Sequence, residues 1–166
     1  MGKKKLILQP GKMGDLIITT PIAQFYARQG YEICWPVFDN YKNYFDAFPD
    51  IQSFTLSAEM DPYAYYKNTR IDRENPQVFL NAVKIFFSNL QEWLQKNPEK
   101  GDYEVLDFCF TFPGHSNNTN NQMTQIFAER NRNWIDLKYY LADVPLSERW
   151  NFKWKRNMEK EAKLCD

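Results

Sequence analysis

Five consecutive residues near the N-terminus, Gly11-Lys12-Met13-Gly14-Asp15, bring two glycines, a cation and a carboxylate to one short stretch. An apolar run from Lys5 to Gln9 precedes them and apolar residues at helical spacing follow, so they occupy a strand-to-helix junction. Glycine there lets the backbone turn sharply and approach a ligand, and the helix behind it aims unpaired N–H groups and a positive dipole end at the same spot. Asp15 has two readings. It caps the helix by accepting from an orphan N–H, or it is a positioned base for a substrate hydroxyl. Gly11, Lys12, Met13 and Gly14 are the matching candidates for substrate binding. The loop is not a common nucleotide fingerprint, since it lacks both the Gly-Lys-Ser/Thr ending and the third glycine of the dinucleotide pattern.

A second candidate loop runs from Thr111 to Asn121 and holds the only histidine, His115, beside Ser116, Asn117 and further asparagines. Histidine is the side chain whose ordinary pKa lies nearest neutrality, and amides and hydroxyls both recognise substrate hydroxyls. His115, Ser116 and Asn117 are therefore candidate binding residues, with the asparagines also suited to turns and caps. One histidine and scattered carboxylates give no metal-ligand spacing, so no metal is expected.

These loops must be held by an alternation of strands and helices. The pattern predicts a strand ending at Gln9, a helix from Asp15 to Gln29 stopped by Gly30, and a strand from Tyr31 to Val37. A short amphipathic helix from Asn40 to Phe48 and a strand from Gln52 to Leu56 follow. Pro21 falls inside the first helix, so regular helix starts near Thr19 or Thr20, or the helix is bent. Ser57 to Pro76 reads as a surface excursion carrying a tyrosine cluster. Val78 to Lys96 is the clearest helix, Tyr103 to Phe110 a strand buried on both faces, and Gln122 to Asn131 a further helix. Trp150, Trp154 and Met158 repeat every four residues and suggest a terminal helix docked on the domain. Alternation of this kind means an α/β fold, expected as a Rossmann-like three-layer α/β/α domain with a mostly parallel sheet. In such sheets ligands bind beyond the carboxyl ends of the strands, where both candidate loops lie.

The 166 residues suffice for one core, and 43% hydrophobic with 17% aromatic content argues against disorder. Lys plus Arg equals Asp plus Glu at 21 each, so no global field gathers nucleic acid. Glu148, Glu159 and Glu161 balance much of the cationic C-terminal stretch, which disfavours a membrane reading there too. With no apolar run of spanning length, the expectation is a cytoplasmic protein without a transmembrane segment. Cys34, Cys109 and Cys165 are odd in number and far apart; the first two sit in expected strands as small core residues.

The opening, an apolar strand followed by Gly-Lys-Met-Gly-Asp-Leu-Ile-Ile-Thr-Thr-Pro, resembles that of the heptosyltransferase-type glycosyltransferases of family 9. Their pattern is Gly-x-x-Gly-Asp, an aliphatic pair and Thr-Thr-Pro. The resemblance implies one half of a GT-B enzyme, with residues 1–147 as the acceptor-side domain and 148–166 as a C-terminal helix leading into an interdomain linker. It implies Asp15 as the general base in metal-independent sugar transfer from a nucleotide-sugar co-substrate to a saccharide or glycolipid acceptor. A donor-binding half would come from a second chain or an oligomer. Family members often carry an arginine just before the loop, where this chain has Gln9. Two other classes stay open, a saccharide-binding module without turnover and a small nucleotide-binding α/β protein that uses Gly11 to Gly14 as an anion nest.

Overall fold

A computed structural model of the protein describes residues 3–57, 76–96, 103–108, 133–155 and 158. Its elements are β1 (Lys4–Leu8), α1 (Met13–Arg28), β2 (Glu32–Phe38), a 3-10 helix (Asp39–Ala47), β3 (Ile51–Leu56), α2 (Pro76–Lys96), β4 (Glu104–Asp107), α3 (Trp134–Leu141) and a 3-10 turn (Leu146–Trp150). The four strands form one sheet in the order β3-β2-β1-β4, with every pairing parallel. This is a small Rossmann-like α/β domain. The chain winds outward from β1 to β3 and then returns to the other side of β1, so the switch point of the sheet lies between β1 and β4.

Alternation along the strands sends side chains to two cores. Ile7, Ile33, Trp35, Val37, Leu106 and Phe108 pack with Leu16, Ile22 and Tyr26 of α1 and Leu137 and Tyr139 of α3. Leu6, Leu8, Cys34, Phe38 and Leu56 face the opposite way, against Phe86 and Leu90 of α2. Helices therefore cover both faces, which is the expected three-layer arrangement. Cys34 is buried as a small core residue.

Helix α1 begins at Met13, earlier than the proline suggested, and runs through Pro21 to Arg28. Proline removes the N–H that would bond the Ile17 carbonyl. Beside that gap, Thr20 Oγ1 donates to the Leu16 carbonyl at 2.8 Å and lies 2.8 Å from the Tyr44 hydroxyl. With its one proton spent on Leu16, Thr20 must accept from Tyr44. The helix stops at Gln29, followed by Gly30 at φ 82°, a conformation for which glycine is suited. The segment after β2 winds as a 3-10 helix rather than an α-helix. Strand β4 is shorter than expected and not buried on both faces, because Glu104 and Val105 are exposed.

The C-terminal stretch departs most from expectation. Residues 151–155 are not helical, and Trp150 and Trp154 are exposed. Phe152 is the aromatic residue that packs on the core. The Gln24 side chain accepts from the Lys153 N–H at 2.9 Å and donates back to the Lys153 carbonyl, and the Lys155 N–H bonds the Ala47 carbonyl at 2.8 Å. These bonds satisfy backbone groups that a helix would have satisfied internally. The excursion after Ser57, the helix expected over 122–131, Cys109, Cys165 and the loop with His115, Ser116 and Asn117 lie outside the described residues.

Candidate functional site

Strand β1 delivers the first loop to the switch point. Its last residue, Leu8, pairs with Asp107 of β4, so the segments leaving these two strands share one edge of the sheet. Pro10 anchors the turn through its carbonyl, which accepts from the Phe38 N–H at 2.8 Å. Gly11 is buried against the end of β2: a Cβ there would fall 2.7 Å from Phe38 Cδ2. Close approach, not unusual dihedrals, is what demands glycine at 11. Around Gly14 a Cβ would meet nothing within 4 Å among the described residues, so crowding by them does not demand glycine there.

Lys12 occupies the N-cap position with φ 60° and ψ 117°, and among the described residues no side-chain cap bond is made there. The capping reading of Asp15 is thereby corrected. Asp15 is the third residue of α1, in its first turn, where a carboxylate also suits the helix dipole. Nor does it belong to the preceding loop, as a helix starting near Thr19 would have required. Lys12, Met13 and Gly14 are all exposed beside it.

What holds Asp15 is a lysine from 123 residues away. Lys138 of α3 donates to Asp15 Oδ1 at 2.6 Å and to Gln9 Oε1 at 2.9 Å. The Lys138 side chain is 2% exposed and that of Asp15 33%, so a buried cation presents a carboxylate to the surface. Gln9 is itself buried and fully engaged: its Nε2 donates to the Gly11 carbonyl at 3.2 Å, and its own carbonyl accepts from Trp35 Nε1 at 2.8 Å. The Phe108 ring, just past β4, lies 6.0 Å from the ammonium. A buried ammonium is costly unless paired and hydrogen-bonded, and the two oxygens from Asp15 and Gln9 meet that need.

Below this pair, α1 and α3 are fastened along their lengths. The Tyr139 hydroxyl bonds the Ile18 carbonyl at 3.4 Å and the Tyr26 hydroxyl bonds the Ala142 carbonyl. Burial pushes both phenols above their ordinary range; the cation of Lys5 pulls Tyr26 partly back and that of Arg149 does so for Tyr139. The two helices thus pack side by side, with Asp15 in the first turn of α1 and Lys138 in the last turn of α3. Asn133 caps α3 through its side chain, accepting from the Asp136 N–H at 2.9 Å.

Of the residues singled out in the sequence, Gly11, Lys12, Met13, Gly14 and Asp15 come together at the sheet edge. Whether His115, Ser116 and Asn117 join them lies outside the described residues. Sequence reading missed Gln9 and Lys138. Their signals were faint: an amide ending an apolar strand, and a lone cation inside Trp134-Ile135-Asp136-Leu137-Lys138-Tyr139-Tyr140-Leu141. Among the described residues no cluster of three or more His, Cys, Asp or Glu side chains could hold a metal, and no helix is long and apolar enough to cross a membrane. Comparisons with protein-family models, with curated proteins and with solved structures find no match.

Proposed function

We propose that this domain is the acceptor-binding half of a GT-B-type glycosyltransferase related to family 9. The observation that carries the reading is the buried Lys138 presenting the Asp15 carboxylate at the sheet's switch point, beside the exposed Lys12, Met13 and Gly14. A saccharide hydroxyl donates to the Asp15 oxygen that Lys138 does not hold. As that hydroxyl attacks the anomeric carbon of a nucleotide-sugar, Asp15 takes its proton. Lys138 and Gln9 are positioning residues, fixing the carboxylate against the backbone of the loop. The nucleotide-sugar is bound chiefly by a second half, supplied by another chain or by oligomerisation. The acceptor is a saccharide or glycolipid.

One feature favours a second reading. A carboxylate committed to a lysine at 2.6 Å serves hydrogen-bonding recognition as readily as proton transfer, so a saccharide-binding module without turnover uses the same atoms.

Thermal-shift measurements separate these readings. Ligands that bind the native state raise the melting temperature with occupancy. Simple saccharides should stabilise the domain and free nucleotides should not, and Asp15→Asn should weaken the saccharide response. Stabilisation by free nucleotide instead, retained in Asp15→Asn and lost in Gly14→Val, would replace the proposal with nucleotide binding at the glycine loop. Combined with a donor-binding half, wild type but not Asp15→Asn should transfer sugar; weakened saccharide affinity in Asp15→Asn with no transfer by either would leave the binding module.

A further inference from the structure

The C-terminal stretch combines features that the sequence pattern alone set against each other. Arg149, Lys153 and Lys155 carry positive charge, and no carboxylate lies between residues 149 and 155. The preceding acid, Glu148, does not neutralise them, because Arg28 of α1 holds its Oε2 at 2.5 Å and Asn151 donates to the same oxygen. Asp50 borders a hollow of about 420 Å³ together with Arg28 and Lys153.

Two tryptophans stand out from this cationic strap. Trp150 is 78% exposed and Trp154 62%. Trp154 ends a row of aromatic rings leading out from the core: Tyr44 lies 5.0 Å from Phe48, Phe48 6.4 Å from Phe152, and Phe152 5.9 Å from Trp154. The Arg149 guanidinium lies 4.7 Å from the Trp150 ring centre. The backbone beneath is fixed by Gln24 and Ala47, so these indoles are displayed from an anchored segment.

Indoles beside lysines and arginine suit the interface of a bilayer. Their rings settle at headgroup depth while the cations meet anionic lipid, and each cation near such a surface contributes independently. We infer that residues 149–155 form a peripheral docking surface for an anionic lipid bilayer. Nucleic acid suits this face less well, since three cations on a chain of zero net charge provide little of the field that polyanion binding requires.

The test is co-sedimentation of the full chain with large vesicles, either pure phosphatidylcholine or phosphatidylcholine with about one-third phosphatidylglycerol. Binding is expected to the anionic vesicles only and should fall at high salt as the surface charge is screened. Lys153→Gln and Lys155→Gln should each cost on the order of fivefold in partitioning, and Trp150→Ser with Trp154→Ser should abolish a blue shift in tryptophan emission on binding. All four side chains are exposed, so melting temperatures should match wild type. The proposal is overturned by absence of binding to anionic vesicles at low salt, or by equal binding in both pairs of variants. It is overturned too by capture of single-stranded RNA in preference to vesicles, or by a dimer that dissociates in Trp150→Ser with Trp154→Ser, which would make this face a contact between copies.

Discussion

Two buried lysines stand at opposite ends of the same sheet, and they are partnered in different ways. Lys5, at the N-terminal end, lies 4.1 Å from the centre of the Tyr26 ring and 5.1 Å from that of Tyr31, and pairs with Glu104 at 2.6 Å. The Glu104 side chain is 64% exposed. Aromatic faces and a solvated acid share the work there, so no single partner is indispensable. At the C-terminal end, the Lys138 ammonium bonds oxygens of Asp15 and Gln9, with the Phe108 ring 6.0 Å away. Bonding one residue before the turn and one just after it gives that strand-to-helix junction one geometry. The N-terminal pair braces the sheet; the C-terminal pair positions a carboxylate.

The largest expected effect comes from removing the acid at each end. Asp15→Leu strands a buried ammonium and should lower unfolding free energy by about 3 kcal/mol, the lower end for a broken buried pair because Asp15 is one-third exposed. Glu104→Leu should cost less than about 1 kcal/mol. Adding Lys138→Met to Asp15→Leu should recover much of the loss, since two apolar groups replace two charges. Urea unfolding of wild type and these three variants measures this, and equal losses at the two ends would erase the distinction.

The glycines of the loop sharpen the contrast at the next scale. Gly11→Ala puts a methyl 2.7 Å from the Phe38 ring and should cost about 2 kcal/mol by overpacking. Gly14→Ala, with open space and helical backbone, should gain about 0.5 kcal/mol. Thermal unfolding distinguishes them, and a loss at Gly14 would mean that the helix start is more crowded than described.

Alkaline titration probes the Lys5 end more gently. Burial raises the phenols of Tyr26, Tyr44, Tyr103 and Tyr139 above 10.0. These groups ionise in the unfolded chain before they do in the folded one. Their contribution to stability is therefore complete below pH 10 and declines as pH climbs past it toward the folded values. Tyrosinate absorbance should show a late-titrating class, and Lys5→Met should delay Tyr26 further by removing the cation that opposes its rise. An earlier Tyr26 titration in that variant would contradict the placement of Lys5.

The loop was legible in the sequence because its constraints are local: glycines, a strand before and a helix after act within a few residues. The order of strands and helices over residues 5–56 was legible for the same reason. Lys138 was not, because its partner is 123 residues away and nothing near it in the chain marks its role. The start of the first helix was legible to within two residues at Asp15; the alternative start near Thr19 that Pro21 suggested does not occur, and the contact of Thr20 with Tyr44 beside that proline is tertiary. The four-residue repeat of Trp150, Trp154 and Met158 fits a helix template equally well whether the rings are buried or not. Only Phe152, outside that repeat, finds the core.

The bond pattern at Gln24 has a consequence for how freely the chain can vary. The amide of that one side chain grips both the N–H and the carbonyl of Lys153, as a neighbouring strand would. It reads main chain and is indifferent to the side chain at 153. Any residue that keeps its N–H can stand there, and proline alone is barred. The fold thereby leaves the outward chemistry of this position to be rewritten by substitution while its path across α1 stays fixed.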